Sequence, residues 1–98
     1  MHKQVLKLYV CGQTAKTRTA VANLRAICKE DLDNQYEIVV IDILEHPQLA
    51  EDEKILATPT LIKQLPLPLR RVIGDLSDKE RVLFGLDLLS AEVPATKA

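Results

Sequence analysis

Aromatic side chains are nearly missing from this chain: Tyr9, Tyr36 and Phe84 are the whole complement, with no tryptophan. A protein that holds single-stranded nucleic acid stacks bases on such rings, and this sequence has no platform for it. Charge of one sign is missing too. Thirteen Lys plus Arg against 14 Asp plus Glu give a formal charge of −1, without the basic excess that attracts a phosphate backbone. No nucleic-acid partner is expected. Cysteine is scarce: Cys11 and Cys28 form no C-x-x-C pair, are too few for a metal cluster and are expected to stay reduced. No apolar run approaches the roughly 20 residues of a membrane-spanning helix. The opening MHKQVLKLYV lacks a long apolar segment and a small-residue cleavage site, so a cytoplasmic location with no membrane span is expected. Length predicts one domain over residues 1–98, with an ordered core over about 4–90. The closing residues 91–98 carry no periodicity and are expected to fray. No cofactor motif is present.

What is there reads as alternating strands and helices. Val5, Leu6, Leu8, Tyr9 and Val10 make a short apolar strand ended by Gly12. Val21, Leu24, Ile27, Cys28 and Leu32 then recur at helical spacing, which predicts a helix from Thr14 or Thr17 to Leu32 with Asp33-Asn34 as its stop. Residues 36–42 read as a central strand, because 38–41 are continuously apolar and β-branched, as in strands covered on both faces. Pro47 suits the first position of a short second helix. Residues 60–63 and 70–74 are expected to pair as an antiparallel hairpin, joined by a loop in which Pro66 and Pro68 suppress extra pairing. Ser77-Asp-Lys-Glu80 reads as a capping box opening a last helix. The order is βαβαββα. Between Thr58 and Thr60, Pro59 stands at the head of the third strand, an arrangement that resembles the entry to the central hairpin of thioredoxin-like folds. An X-Pro bond prefers trans by only about 0.5–1 kcal/mol, so packing can hold it cis and a slow local switch is chemically available.

Residues 82–89, VLFGLDLL, fit two secondary structures. As a helix, Val82, Leu83, Leu86 and Leu89 share a face and leave Phe84 and Leu88 opposite; as a strand, Val82, Phe84, Leu86 and Leu88 point one way. Gly85 costs the helix about 1 kcal/mol relative to alanine, and Asp87 near its C-terminus meets the negative end of the dipole. Both residues weaken the helix that the capping box begins.

VLKLYV at 5–10, ILATPTL at 55–61, RRVIGDLS at 70–77 and RVLFGLDLL at 81–89 together resemble the KaiB family, small partners of the KaiC clock ATPase. The resemblance implies a thioredoxin-like βαβαββα form that binds the N-terminal ATPase ring of a KaiC-type protein. It also implies an alternative ground-state packing, βαββααβ, a homo-oligomer that is commonly a tetramer or else a dimer, with KaiA or a histidine kinase as further partners where present. On the same grounds Gly85 and Asp87 set the balance between states, with Pro59, Pro66 and Pro68 flanking the exchanging region. Gly85→Ala and Asp87→Arg are then expected to favour the helical, partner-binding form. Lys54, Arg70 and Arg71 fall on shared basic positions and are candidates for contacting an acidic surface of KaiC. The sequence departs from the cyanobacterial pattern at Cys11, at the separated prolines 66 and 68, and in a short tail without an acidic end.

A redox reading competes, with Cys11 as the thiol of a thioredoxin- or glutaredoxin-like protein, since Cys11-Gly-Gln-Thr14 loosely echoes a monothiol site. A redox thiol in that fold sits at the helix N-terminus, where the dipole lowers its pKa. Thr14 and Thr17 occupy those places here, so Cys11 and Cys28 are expected to be buried structural thiols. His2 and His46 lack further ligands at metal spacing, and Glu51, Asp52 and Glu53 lie on consecutive helix positions that face different ways, a solvated surface rather than an acid–base pair.

Overall fold

β1 (Gln4–Val10), α1 (Ala15–Asp31), β2 (Tyr36–Asp42), α2 (Pro47–Asp52), β3 (Thr60–Lys63), β4 (Arg70–Ile73) and α3 (Lys79–Gly85) follow one another in the expected βαβαββα order. The computed structural model describes residues 4–64 and 69–88; Pro66, Pro68 and the tail beyond 88 lie outside them. The sheet runs β2-β1-β3-β4. β1 is parallel to β2, as a strand–helix–strand crossover requires, and antiparallel to β3, which forms the hairpin with β4.

Alternation along β1 divides the interior. Leu6, Leu8 and Val10 point to one face and join Leu61 and Val72 under α1 and α3, which contribute Ala20, Leu24, Ile27, Cys28, Val82, Leu83 and Leu86. Tyr9 points to the other face and packs with Ile41 and Ile62, bordered by Val39, Ile43 and Ile55. In the strand order β1 and β3 are the inner strands and β2 is an edge, contrary to the sequence expectation. A continuously apolar run reports coverage of faces and says nothing about which flanks are hydrogen-bonded. At the edge, Ile41 is the only buried residue of β2, and Val40 is exposed.

α1 starts where Thr14 accepts a hydrogen bond from the Thr17 amide (3.1 Å). The buried Thr17 hydroxyl donates to the Gly12 carbonyl at 2.7 Å. The helix stops as expected: Asp33 and Asn34 take left-handed φ values of 56° and 54°, and the Asn34 amide returns to the Cys28 carbonyl at 2.9 Å. α2 is short and carries no buried residue; His46 precedes it without a side-chain capping bond.

The last helix begins one residue later than the capping box predicts. Asp78 is its N-cap, accepting from the Arg81 amide at 3.2 Å, while the Ser77 amide donates to Asp75 Oδ1 at 3.0 Å. A carboxylate serves the helix N-terminus as well as a hydroxyl does and adds a favourable charge, so Asp78 displaces Ser77. Of the ambiguous segment, 82–85 are helical, with Val82, Leu83 and Leu86 buried and Phe84 64% exposed. Leu88, expected on the outer side, instead packs against the core, because the chain leaves the helix at Leu86 and turns through Asp87 at φ 63°. Asn23 Nδ2 donates to the Asp75 carbonyl at 2.8 Å and Lys79 Nζ lies 3.4 Å from Asp31, tying the start of α3 to α1.

Candidate partner-binding surface

The three basic candidates do not form one cluster. Neighbouring residues on a strand point to opposite faces, so Arg71 lies with Ile62 on the α2 side and Arg70 with Lys63 on the helical side. Arg71 is engaged within the molecule. Its guanidinium donates to the Lys54 carbonyl at 3.2 Å and to the Glu53 carbonyl, and lies 3.9 Å from the Glu53 carboxylate. It thereby closes the C-terminal end of α2, where Glu53 is the C-cap and Lys54 is left-handed at φ 56°. Lys54 and Arg71 are thus brought together, with the Lys54 and Arg71 side chains at the surface. Beneath them Tyr9 is buried; burial raises its phenol pKa, the Glu53 carboxylate adds to the rise and Arg71 opposes it. Arg70 is exposed and its Nη1 donates to its neighbour's carbonyl, that of Leu69, at 3.3 Å.

Gly85 lies in the last turn of α3 against β4. A Cβ there would stand 2.8 Å from Val72 Cγ2, a contact invisible to helix propensity. Asp87 is past the helix end rather than in it, and its carboxylate acts on Lys63, the last residue of β3, whose side chain is 1% exposed. The sequence reading missed Lys63. Its only signal was alternation: a lysine on the face of β3 that Leu61 gives to the core. The Thr58–Pro59 bond is cis, and the Pro59 carbonyl accepts from the Gly74 amide at 3.0 Å, linking the head of β3 to the end of β4.

Cys28 is buried as expected, and burial raises its pKa. Cys11 is exposed, a correction: β1 ends at Val10, so residue 11 has already left the sheet. The turn after it is organised around Asp42, which accepts from the amides of Gly12 (3.0 Å) and Leu44 (2.9 Å). These two bonds hold its pKa below the usual carboxylate value. Among the described residues no group of three or more His, Cys, Asp or Glu could hold a metal, and no helix is long and apolar enough to cross a membrane.

A sequence model of the KaiB domain matches residues 7–88. The chain belongs to the KaiB family. It is 55% identical over 89 residues to the circadian clock protein KaiB3 of Synechocystis sp., an alignment spanning 91% of this chain and 87% of that one. It is 56% identical to the circadian clock oscillator protein KaiB of Synechococcus elongatus, again over 91% and 87% of the two chains. Among solved structures, the N-terminal domain of Synechococcus elongatus SasA superposes with TM-score 0.75 at 22% identity, covering 95% of this chain and 89% of that domain. Mitochondrial thioredoxin 3 of Saccharomyces cerevisiae gives 0.68 at 15%, covering 89% and 79%. These structural likenesses establish the thioredoxin-like fold. Family membership makes the chain a clock-related regulator rather than a redox enzyme built on the same scaffold.

Proposed function

We propose that the chain is a non-catalytic, single-domain KaiB-type regulator that binds the N-terminal ATPase ring of a KaiC-type protein in the thioredoxin-like form, reached by slow exchange from a βαββααβ packing. The observation that carries the reading is the state of residues 82–88. A segment whose apolar pattern serves helix and strand alike forms here the end of a short helix on β4, within a chain more than half identical to clock proteins. In this reading Gly85 and Asp87 set the balance, and Pro59, Pro66 and Pro68 flank the part that exchanges. Lys54 and Arg70 supply free positive charge to an acidic surface of the ring, while Arg71 contributes through the α2 end that it closes. KaiA or a histidine kinase joins where the organism has one, the exchanging packing is a homo-oligomer, and the action is cytoplasmic.

Slow capture follows from population. A binding form present at about 1% lowers apparent affinity a hundredfold, about 2.7 kcal/mol that the ring must supply. The test is to mix the purified chain with the KaiC-type hexamer of the same organism and follow co-elution over hours. A complex that accumulates with a lag, at a rate that stops rising with hexamer concentration, is the expected result. No complex at any incubation time would overturn the reading, and immediate binding without a lag would overturn the exchange while leaving the partner.

A further inference from the structure

Five non-glycine residues among those described take left-handed φ values. Asp33, Asn34 and Asp87 are of the types whose short polar side chain tolerates that backbone, and Lys54 is exposed. Leu76 is neither. At φ 65° and 4% exposed, it is a bulky apolar residue in a conformation that crowds its Cβ against the carbonyl that follows. Such a residue persists only where its surroundings over-determine it. Here they do so from both sides. Before Leu76, the Gly74 amide donates to the Pro59 carbonyl at 3.0 Å, and the Asp75 carbonyl accepts from Asn23 Nδ2 of α1 at 2.8 Å. After it, the Ser77 amide donates to the Asp75 carboxylate at 3.0 Å and Asp78 caps α3. The Leu76 side chain itself lies in the core with Val82, Leu83 and Leu86. Packing at this joint is nonetheless incomplete: a cavity of about 50 Å³ is lined by Gly74, Leu76, Asp78 and Val82, far below the roughly 300 Å³ of a ligand pocket.

We infer that Leu76 is a sprung joint: the link from β4 to α3 carries backbone strain that is held only while α3 is docked and is shed when α3 swings away from β4. Burial of the Leu76 side chain beneath α3 offsets the left-handed turn. Once α3 leaves, neither its cap nor that burial fixes the residue, and Leu76 relaxes to the right-handed or extended backbone that leucine prefers. The strain therefore weakens the docking of one element and not the pairing of the sheet, so α3 opens while the strands stay paired. The joint is a property of the free chain and stands whether or not a partner or a second packing exists.

The test is amide hydrogen exchange of the free protein, read at Val82 and Leu86, whose amides donate to the Asp78 and Val82 carbonyls at 3.0 and 2.9 Å. In the native chain both should exchange through an opening whose urea dependence is shallower than that of global unfolding. An equally steep dependence overturns the joint. Leu76→Ala and Leu76→Gly both delete the buried side chain, and only alanine keeps the Cβ. At an ordinary position glycine is the less stable of the two, because the unfolded chain gains freedom. At a strained left-handed one the order inverts, so exchange at both amides should be at least about twofold slower in Leu76→Gly than in Leu76→Ala. Equal rates, or faster exchange in the glycine variant, overturn the joint. If only one of the two folds, a folded glycine variant supports the joint and a folded alanine variant overturns it. Should neither fold, Leu76→Met and Leu76→Ile keep the core volume, and the β-branch suits a left-handed backbone worst. Exchange at least about twofold faster in Leu76→Ile then supports the joint, and any other order overturns it.

Discussion

Gly85 shows how one residue carries two opposed contributions. Replacing it with alanine gains about 1 kcal/mol of helix propensity, which is the reason for expecting a more helical form. In the folded molecule the new Cβ meets the stiff Cγ2 of Val72 at 2.8 Å, and a forced contact of this kind costs about 1–3 kcal/mol. Packing wins, so Gly85→Ala is expected to lower the urea midpoint of this form. Adding Val72→Ala makes room, and the two changes should couple by more than about 0.5 kcal/mol in a double-mutant cycle. Strict additivity would show that the close approach has no energetic weight. Asp42 offers a second measurement at this scale. Its folded pKa lies below the ordinary value of 3.8 because the Gly12 and Leu44 amides bind the carboxylate. A depressed pKa gives stability that is complete above the unfolded value and is lost as pH falls through the folded one. Between about pH 5 and 2 the native protein should lose stability more steeply than Asp42→Asn, whose amide oxygen accepts without titrating. Parallel curves would refute the assignment.

At the scale of elements, the register of sequence and structure is close where a single periodicity governs. β1, α1 and the β3–β4 hairpin lie where alternation, the 3.6-residue period and the prolines place them, because each pattern is read against a core that really covers that face. The departures arise where the deciding interaction is distant or where two acceptors compete. β2 is apolar enough to be central, yet hydrogen-bonding order in a sheet follows from topology, and residues 38–41 carry no mark of it. Cys11 looks like a continuation of β1 and is exposed because the Gly12 turn and its Asp42 acceptor end the strand first. The partner-surface candidates were legible as residues and not as a cluster: the opposite facing of Arg70 and Arg71 follows from strand geometry, but the closure of α2 by Arg71 depends on contacts with Lys54 and Glu53 that are distant in sequence, and the burial of Lys63 on how its face of β3 is covered. The α3 start tests the competition between acceptors. Asp78→Ala should cost about 0.5–2 kcal/mol, the usual loss for an N-cap, whereas Ser77→Ala, at an exposed position outside the helix, should stay within about 0.5 kcal/mol. Thermal unfolding of the two variants separates them, and the reverse ranking would return the cap to Ser77.

Across the whole molecule, the basic candidates on β4 stand on opposite faces of one small sheet, and variants can sort Lys54, Arg70 and Arg71 by whether they serve stability or the proposed partner contact. Arg71 fastens α2 to β4 through two backbone carbonyls and the Glu53 carboxylate. Its removal therefore frees an element that has no buried residue of its own to hold it. Arg71→Ala is expected to lower stability by about 1 kcal/mol, the net worth of a hydrogen-bonded contact of this kind, and to weaken association with a KaiC-type ring as the α2 end loosens. Arg70 is exposed and its guanidinium donates to its neighbour's carbonyl, so Arg70→Ala should leave the midpoint within about 0.5 kcal/mol. Any loss of association in that variant then reports contact with the partner. Lys54 completes the separation. Glycine accepts the left-handed backbone at φ 56° without the Cβ penalty, so Lys54→Gly removes the charge while relieving strain. Stability that holds or rises together with slower, less salt-sensitive association would place Lys54 at the interface, because screened attraction between exposed charges is what added salt removes. If Lys54→Gly and Arg70→Ala both associate at the native rate across salt concentrations, the acidic-surface reading fails, and the docking face must be sought away from the basic ends of α2 and β4.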